Sequence, residues 1–292
     1  MRRGGRTYYY LVHTYRWEGL IHKRQLYLGM SPPKNLDRLR ISLEREVWKE
    51  TWFRAFNEIK DEFSKRQSDL PPSVTAKERE DFVIDFTYDS NRIEGSTLTS
   101  LETANLVQRR VTPPSKPLND VLESRSHAKL LERLLLRSQT TDLSHLLAWH
   151  RTIFSASKPD IAGTLRKYEV RIRGSRHTPP PENELRPMLI EMLRVHNRHG
   201  GKFHPVERAA LFHLRFESIH PFGDGNGRIG RLAMNLILHQ SGFPMLNVRY
   251  GKRRGYYHAL ERSDLAKTER PFLLWFFHRY VHDARPFSRR TK

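Results

Sequence analysis

Chemistry is concentrated in one stretch, His220-Pro221-Phe222-Gly223-Asp224-Gly225-Asn226-Gly227-Arg228-Ile229-Gly230-Arg231. An imidazole has its ordinary pKa near neutrality and is a ready general base. Asp224 supplies a single carboxylate. That donor suits Mg²⁺, which takes its remaining ligands from phosphates and water. Gly225-Asn226-Gly227 bares backbone N–H groups and runs into an apolar stretch, Ile229 to Leu238, that reads as a helix. Glycines at a helix N-terminus make an anion site. Arg228 and Arg231, three residues apart, project from one side of that helix's first turn. Base, metal ligand, anion nest and two guanidiniums together describe a site for a nucleoside triphosphate.

The elements that position this stretch are mostly helices. Pro205 sits at a first helical position and starts Val206–Ile219, whose Ala209, Ala210, Leu214 and Phe216 make it a buried central helix ending at His220. The motif helix runs to about Gln240, where Gly242-Phe243-Pro244 breaks it. Upstream, mixed threes and fours from Leu36 to Phe63 predict one long amphipathic helix over 35–68, closed by Pro71-Pro72. A helix from about Thr75, as N-cap, to Ile93 ends at Gly95. Thr99 or Ser100 caps a short helix, Asp120–Leu136 is another, and Asp142 starts a helix carrying His150 in a structural, hydrogen-bonding role. Asn183–His199, Tyr256–Ser263 and Pro271–Asp283 complete the helical set.

Two stretches read as β. Tyr8 to Trp17 and Leu20 to Gly29 flank the turn Glu18-Gly19 and predict a hairpin that docks on the next helix. Val170-Arg171-Ile172-Arg173-Gly174 alternates and predicts an exposed hairpin or flap able to pair with an extended peptide. The fold class expected is therefore mainly α, with a small β-hairpin flap and an N-terminal β-hairpin module. The organisation expected is a basic, aromatic module over 1–34, a long helix or linker over 35–70, a catalytic domain over 71–284 and a basic tail over 285–292.

The stretch His220 to Arg231 matches at every specified position the Fic signature His-x-Phe-x-(Asp/Glu)-Gly-Asn-Gly-Arg-x-x-Arg, and the chain resembles that family over about residues 70–284. The resemblance implies a Fic-type helical bundle and an adenylyltransferase, moving AMP from ATP to a Ser, Thr or Tyr hydroxyl of a protein with release of pyrophosphate. It implies His220 as base and Asp224 as Mg²⁺ ligand. Gly225, Asn226, Gly227, Arg228 and Arg231 would be the phosphate contacts, and Phe222 a buried anchor. It places Tyr256, Tyr257 and Asp264 (Asn in many relatives) at the adenosine. Arg173, Gly174, Ser175 and Arg176 would border the nucleotide. Ser90-x-x-x-Glu94-Gly95 resembles the family's inhibitory signature, on a helix over about 75–95, with Glu94 paired to Arg231 in the γ-phosphate position.

Composition leaves alternatives open. Net charge is +20, a field suited to an anionic partner. Residues 1–34 hold seven Lys/Arg, one Glu and six Tyr/Trp, a mix that stacks on single-stranded nucleic acid or simply packs its own module. That hairpin is also a candidate surface for an acidic protein or a homodimer, and self-modification is a further expectation. Within the enzyme reading, another transferred group or removal of AMP stays open. With no cysteine, thiolate metal sites, disulfides and cysteine nucleophiles are excluded. No signal-peptide pattern or long apolar run occurs, so a cytoplasmic location is expected.

Overall fold

The computed structural model describes residues 2–3, 6–136, 140–172, 174–198 and 201–288. It divides into two compact units, Met1–Ile59 and Lys60–Lys292. The boundary falls inside a helix rather than at residue 34 or 70. Within the first unit Phe56 is fully buried and packs against Trp52 and Phe53.

In the first unit, β1 (Arg2–Arg3) pairs with β2 (Arg6–Thr7), and β3 (Tyr9–Trp17) pairs antiparallel with β4 (Leu20–Gly29). Trp17 faces Leu20 across the two-residue turn, where Glu18 and Gly19 both have positive φ, 50° and 83°. That backbone twist matches the twist of the flanking strands. Trp17 meets Trp52 edge-on at 4.8 Å, and Arg24 pairs with Glu50, so the hairpin docks on the following helix as expected. That helix is α1 (Leu36–Trp48), a π-helical turn (Lys49–Phe53) and α2 (Arg54–Asp69). The Thr51 hydroxyl donates to the Val47 carbonyl at 2.6 Å in the widened turn.

The second unit is helical: α3 (Pro72–Ile93), α4 (Ser100–Gln108), α5 (Leu118–Leu135), α6 (Leu143–Phe154), α7 (Glu182–Arg198), α8 (Pro205–Ile219), α9 (Asn226–Gln240), α10 (Arg253–Ala266) and α11 (Arg270–Ser288). α3 starts at Pro72 and not after Thr75, because proline is pre-set for the first helical turn. Thr99 caps α4 in a reciprocal capping box with Glu102, and Asp142 caps α6 through the His145 N–H. α11 runs to Ser288, into the stretch expected as a tail, and 289–292 lie outside the described residues.

The centre is α9. Every residue from Asn226 to Leu238 is buried, and α3, α5, α6 and α8 all pack on it. A helix buried all round can carry arginines inward only where carboxylates wait for them. No helix among the described residues is long and apolar enough to cross a membrane.

The expected flap is not a hairpin. Among the described residues, 163–180 contains no strand. Only Val170 and Ile172 are apolar in the alternating run 170–174, and Arg166 and Glu261 tie the chain down in place of a strand ladder. Arg166 donates to the Tyr168 carbonyl at 2.9 Å and the Pro180 carbonyl at 2.5 Å. The Arg176 N–H donates to Glu261 at 3.0 Å.

Candidate active site

The loop between α8 and α9 is held from three sides. His220 closes α8 in the left-handed region, φ 49°. Arg166 Nε donates to the His220 carbonyl at 2.9 Å, and the Arg166 N–H to the Pro221 carbonyl at 3.0 Å. The Asn226 side chain clasps Phe222, accepting from its N–H at 2.8 Å and donating to its carbonyl at 2.9 Å. Phe222 is 1% exposed and stacks on His150 at 4.0 Å between ring centres. His150 accepts from the Gly163 N–H at 2.9 Å, so its proton sits on Nε2, which donates to the Asp224 carbonyl at 3.0 Å. Burial drops its pKa to about 4, which keeps that tautomer neutral. The structural role expected for His150 is thus concrete: it fixes the metal-ligand candidate's backbone.

His220 has the tautomer a base needs. Its Nδ1 lies 3.3 Å from the Glu217 carbonyl, which can only accept, so Nδ1 carries the proton. Nε2 keeps its lone pair and has no partner among the described residues. Burial lowers the pKa to about 4, against an opposing pull from the Glu217 carbonyl. The ring is therefore neutral at neutral pH.

Beyond the loop, α9 opens at Gly225 (φ 80°) with no side-chain cap, leaving its first N–H groups for an anion. A Cβ on Gly225 would collide with the Phe154 ring, so only glycine fits. Asp224 stands beside this nest in a closed ring of four alternating charges. Arg228 pairs with Glu123, Glu123 with Lys158 at 3.0 Å, Lys158 with Asp224 at 2.5 Å, and Asp224 with Arg228 at 3.1 Å. Burial disfavours the Asp224 carboxylate, but Arg228 and Lys158 outweigh it and hold its pKa below the usual range.

Arg231 has a different set of partners. It is 1% exposed. Its Nε donates to the Ser90 hydroxyl at 2.9 Å, and Nη2 donates to the Ser90 carbonyl at 2.9 Å and to Glu94 at 2.8 Å. Ser90 and Glu94 thus share one face at the C-terminal end of α3, which Gly95 terminates with φ 101°. Glu94 Oε1 also lies where a Cβ on Gly227 would be, so the carboxylate rests directly on the nest. Behind Arg231, Nη1 reaches the Tyr256 hydroxyl at 3.5 Å, and His213 Nε2 meets the same hydroxyl at 2.8 Å. Burial raises the Tyr256 pKa well above its ordinary value and pushes Glu217 up to about 8.

Residues 140–238 match the family model described as Fic/DOC. They form a Fic/DOC domain. The chain is 34% identical over 191 residues to a protein adenylyltransferase Fic of Nematostella vectensis, covering 64% of this chain and 44% of that one. It is 31% identical over 190 residues to the protein of the same description from Drosophila melanogaster, covering 64% and 38%. The chain spans less than half the length of these curated relatives. Its fold is similar to a Fic domain containing signaling protein from Bacteroides thetaiotaomicron, with TM-score 0.71, 26% identity, and 79% of this chain and 96% of that one covered. It is also similar to Fic-1 from C. elegans, with TM-score 0.72, 25% identity, and 87% and 77% covered.

The second unit, which contains the Fic/DOC domain, gathers most of the residues singled out in the sequence. His220, Asp224, the Gly225–Gly227 turn, Arg228, Arg231, Ser90 and Glu94 lie together. The two arginines do not act as a pair. Arg228 turns to Glu123 and Asp224, and Arg231 to Ser90 and Glu94. The Asn226 side chain is committed to the loop, leaving only its backbone N–H for a phosphate. Tyr257 donates to the Ile93 carbonyl at 3.2 Å, one residue before Glu94. Asp264 accepts from Ser218 at 2.5 Å and lines an open cavity of about 660 Å³ with Met188, Met192, Leu214 and Ile219. That cavity contains neither His220 nor the glycine turn. Gly174 (φ 77°), Ser175 and Arg176 lie in the extended flap, where the Ser175 N–H donates to the Ile172 carbonyl at 3.1 Å. Arg173 lies outside the described residues. Lys158, Glu123 and Glu217 were not singled out. Nothing in their local spacing marks them, since Lys158 and Glu123 meet partners 66 and 105 positions away in the chain, and Glu217 reaches Gly230 and Arg231 only through the packing of α8 on α9.

Proposed function

We propose that this chain transfers AMP from ATP to a Ser, Thr or Tyr hydroxyl of a protein, and that Glu94 holds the site shut in the resting state. The observation that carries the reading is the His220 tautomer. Its Nδ1–H is spent on the Glu217 carbonyl and its Nε2 lone pair is kept, in the loop that leads into an uncapped helix N-terminus. In the step envisaged, the hydroxyl oxygen attacks the α-phosphorus as its proton passes to His220 Nε2. The bond from the α-phosphorus to the bridging oxygen breaks, and pyrophosphate leaves. Uncapped N–H groups of α9 and the Arg231 guanidinium would hold the phosphates where negative charge moves during transfer. The description of the relatives as protein adenylyltransferases supports ATP as the donor and a protein as the acceptor.

A divalent cation fits the donor chemistry. Asp224 is one ionised carboxylate, and no cluster of three His, Cys, Asp or Glu suited to a metal occurs among the described residues. Magnesium tolerates such a site because phosphate oxygens and water complete its octahedron. When bound, it would neutralise phosphate charge as pyrophosphate departs. Autoinhibition is supported by the position of Glu94, whose carboxylate sits on Gly227 and pairs with Arg231, the two features a terminal phosphate would use.

The test is transfer from α-labelled ATP by a Glu94→Gly variant, to itself and to lysate proteins. Labelling that persists in Glu94→Gly/His220→Ala would remove His220 from the base role.

A second activity is favoured by one observation on the first unit. Tyr9, Tyr10 and Tyr27 are exposed on a strongly basic hairpin, a surface that can stack on bases. Salt-dependent binding of single-stranded RNA or DNA, lost in Tyr10→Ala/Tyr27→Ala, is the result expected of it.

A further inference from the structure

Both oxygens of Asp224 already accept hydrogen bonds. Oδ1 accepts from the Gly225 N–H at 2.5 Å and from Arg228 Nη2 at 3.1 Å, and Oδ2 accepts from Lys158 Nζ at 2.5 Å. A cation that approaches either oxygen of Asp224 meets one of these donors, and at Oδ2 it meets the like charge of Lys158. The Gly225 N–H belongs to the backbone at the start of α9 and cannot withdraw without unmaking the turn. The Arg228 side chain is 5% exposed and bonded to buried Glu123, so moving it would strand two charges in the interior. Lys158 differs from both. Its side chain is 34% exposed, on a flexible four-carbon stem, in the turn that follows α6. It also has somewhere to go, because Glu123 Oε1 already holds the same ammonium at 3.0 Å.

We propose that Lys158 is a built-in cation that occupies the metal-binding oxygen of Asp224 and yields it when a divalent ion arrives, staying tethered beside the site through Glu123. This rests on the reading that Asp224 takes the metal. The ring of four charges explains why such a placeholder is needed. Without Lys158, two carboxylates would share one guanidinium next to an apolar helix. With it, the charges balance in the metal-free protein. Lys158 then acts through Asp224 as a positioning residue: it keeps the carboxylate aimed, and it sets the threshold at which a divalent ion enters.

The probe is Mn²⁺ titrated into the nucleotide-free full chain, with free Mn²⁺ read by electron paramagnetic resonance. Lys158→Met should tighten Mn²⁺ binding by about tenfold, the loss of one charge-assisted competitor. Lys158→Arg should stay within about twofold of the parent, because it keeps the cation. Asp224→Asn should abolish the binding. An unchanged Mn²⁺ affinity in Lys158→Met, with binding lost in Asp224→Asn, overturns the role of Lys158 and leaves the metal reading intact. Binding that survives in Asp224→Asn overturns both. Should Lys158→Met not fold, Lys158→Gln makes the same test with a polar side chain.

Discussion

Glu94 Oε1 stands 2.8 Å from Arg231 Nη2 and against the α-carbon of Gly227, so one carboxylate covers both the guanidinium and the mouth of the nest. The chain on both sides of Glu94 is fixed. The Asp120 carboxylate, on α5, accepts from the Thr97 N–H and hydroxyl at 2.7 Å, three residues past Glu94. Asp89, five residues before it, accepts from Asn247 at 2.6 Å and from the Tyr250 N–H at 2.8 Å. Opening therefore needs only the Glu94 side chain to swing. Glu94→Gly should raise transfer from labelled ATP at least about tenfold, the factor about 1.4 kcal/mol represents. It should also lower the melting temperature, because removing one partner of a buried pair strands the other charge. ATP should recover that loss, and by a larger thermal shift than in the parent protein. Equal ATP shifts in both proteins would show that Glu94 does not compete with a phosphate.

The depressed pKa of His220 makes a kinetic prediction. A base must be neutral to accept a proton. An imidazole at its ordinary pKa of about 6.5 would be about three-quarters protonated at pH 6. His220, with a pKa lowered to about 4 by burial, would stay neutral there. For Glu94→Gly, kcat/KM for ATP should change less than about twofold between pH 7.5 and 6 through this group. An acid limb centred near 6.5 would mean that the ring is solvated in the working enzyme.

What the sequence made legible follows from how local each feature is. The loop from His220 to Arg231 is contiguous, so its nest, anchor and helix start could be read from order alone. Ser90 and Glu94 lay one helical turn apart, and Gly95 marked where that turn ends. Lys158 and Glu123 carry no such mark. Each joins Asp224 and Arg228 only because α5 and α6 both pack on α9. The flap was misread for the converse reason. Alternation over Val170–Ile172 is a local signal, while the chain's path there is set by distant tethers, Arg166 and Glu261. The buried centre was also shared differently from the expectation. α8 is buried as expected, but α9 is covered on every side, because its arginines are matched by Glu123 and Glu94.

Stability should fall on the acid side. Burial lowers the pKa of His127 and His213 to about 3, and of His150, His196, His204 and His220 to about 4. Unfolded, each titrates near 6.5. Between these limits the unfolded chain binds more protons, so the stabilising contribution is complete above about 6.5 and is lost progressively as pH falls towards 4. Glu217 works the other way. Its folded pKa is raised to about 8, so its contribution is complete below about 4.5 and is lost as pH rises towards 8. Asp85 and Asp264, raised by burial, act in the same sense as Glu217, but six imidazoles outnumber these three carboxyls, and the melting temperature should drop steeply from pH 6.5 to 5. A flat profile over that range would mean that these rings open to water without unfolding.

Gly227 tests whether Glu94 and the terminal phosphates share one space. A Cβ there would overlap Glu94 Oε1 and come within 2.7 Å of Arg231 Nη1. Ala in a helix is otherwise favoured over Gly by about 0.5–1 kcal/mol, so the change need not weaken α9 itself. Gly227→Ala should dislodge the Glu94 carboxylate, yet it should not activate the enzyme as Glu94→Gly does. The methyl group that excludes a carboxylate oxygen also excludes a phosphate oxygen from the same place. In Glu94→Gly/Gly227→Ala, transfer should fall at least about tenfold below that of Glu94→Gly, a difference of about 1.4 kcal/mol, and the ATP-dependent thermal shift should be smaller. If the double variant binds ATP as well as Glu94→Gly, the nucleotide does not approach the α9 N-terminus at Gly227. The inhibitory contact would then act through the charge of Arg231 alone.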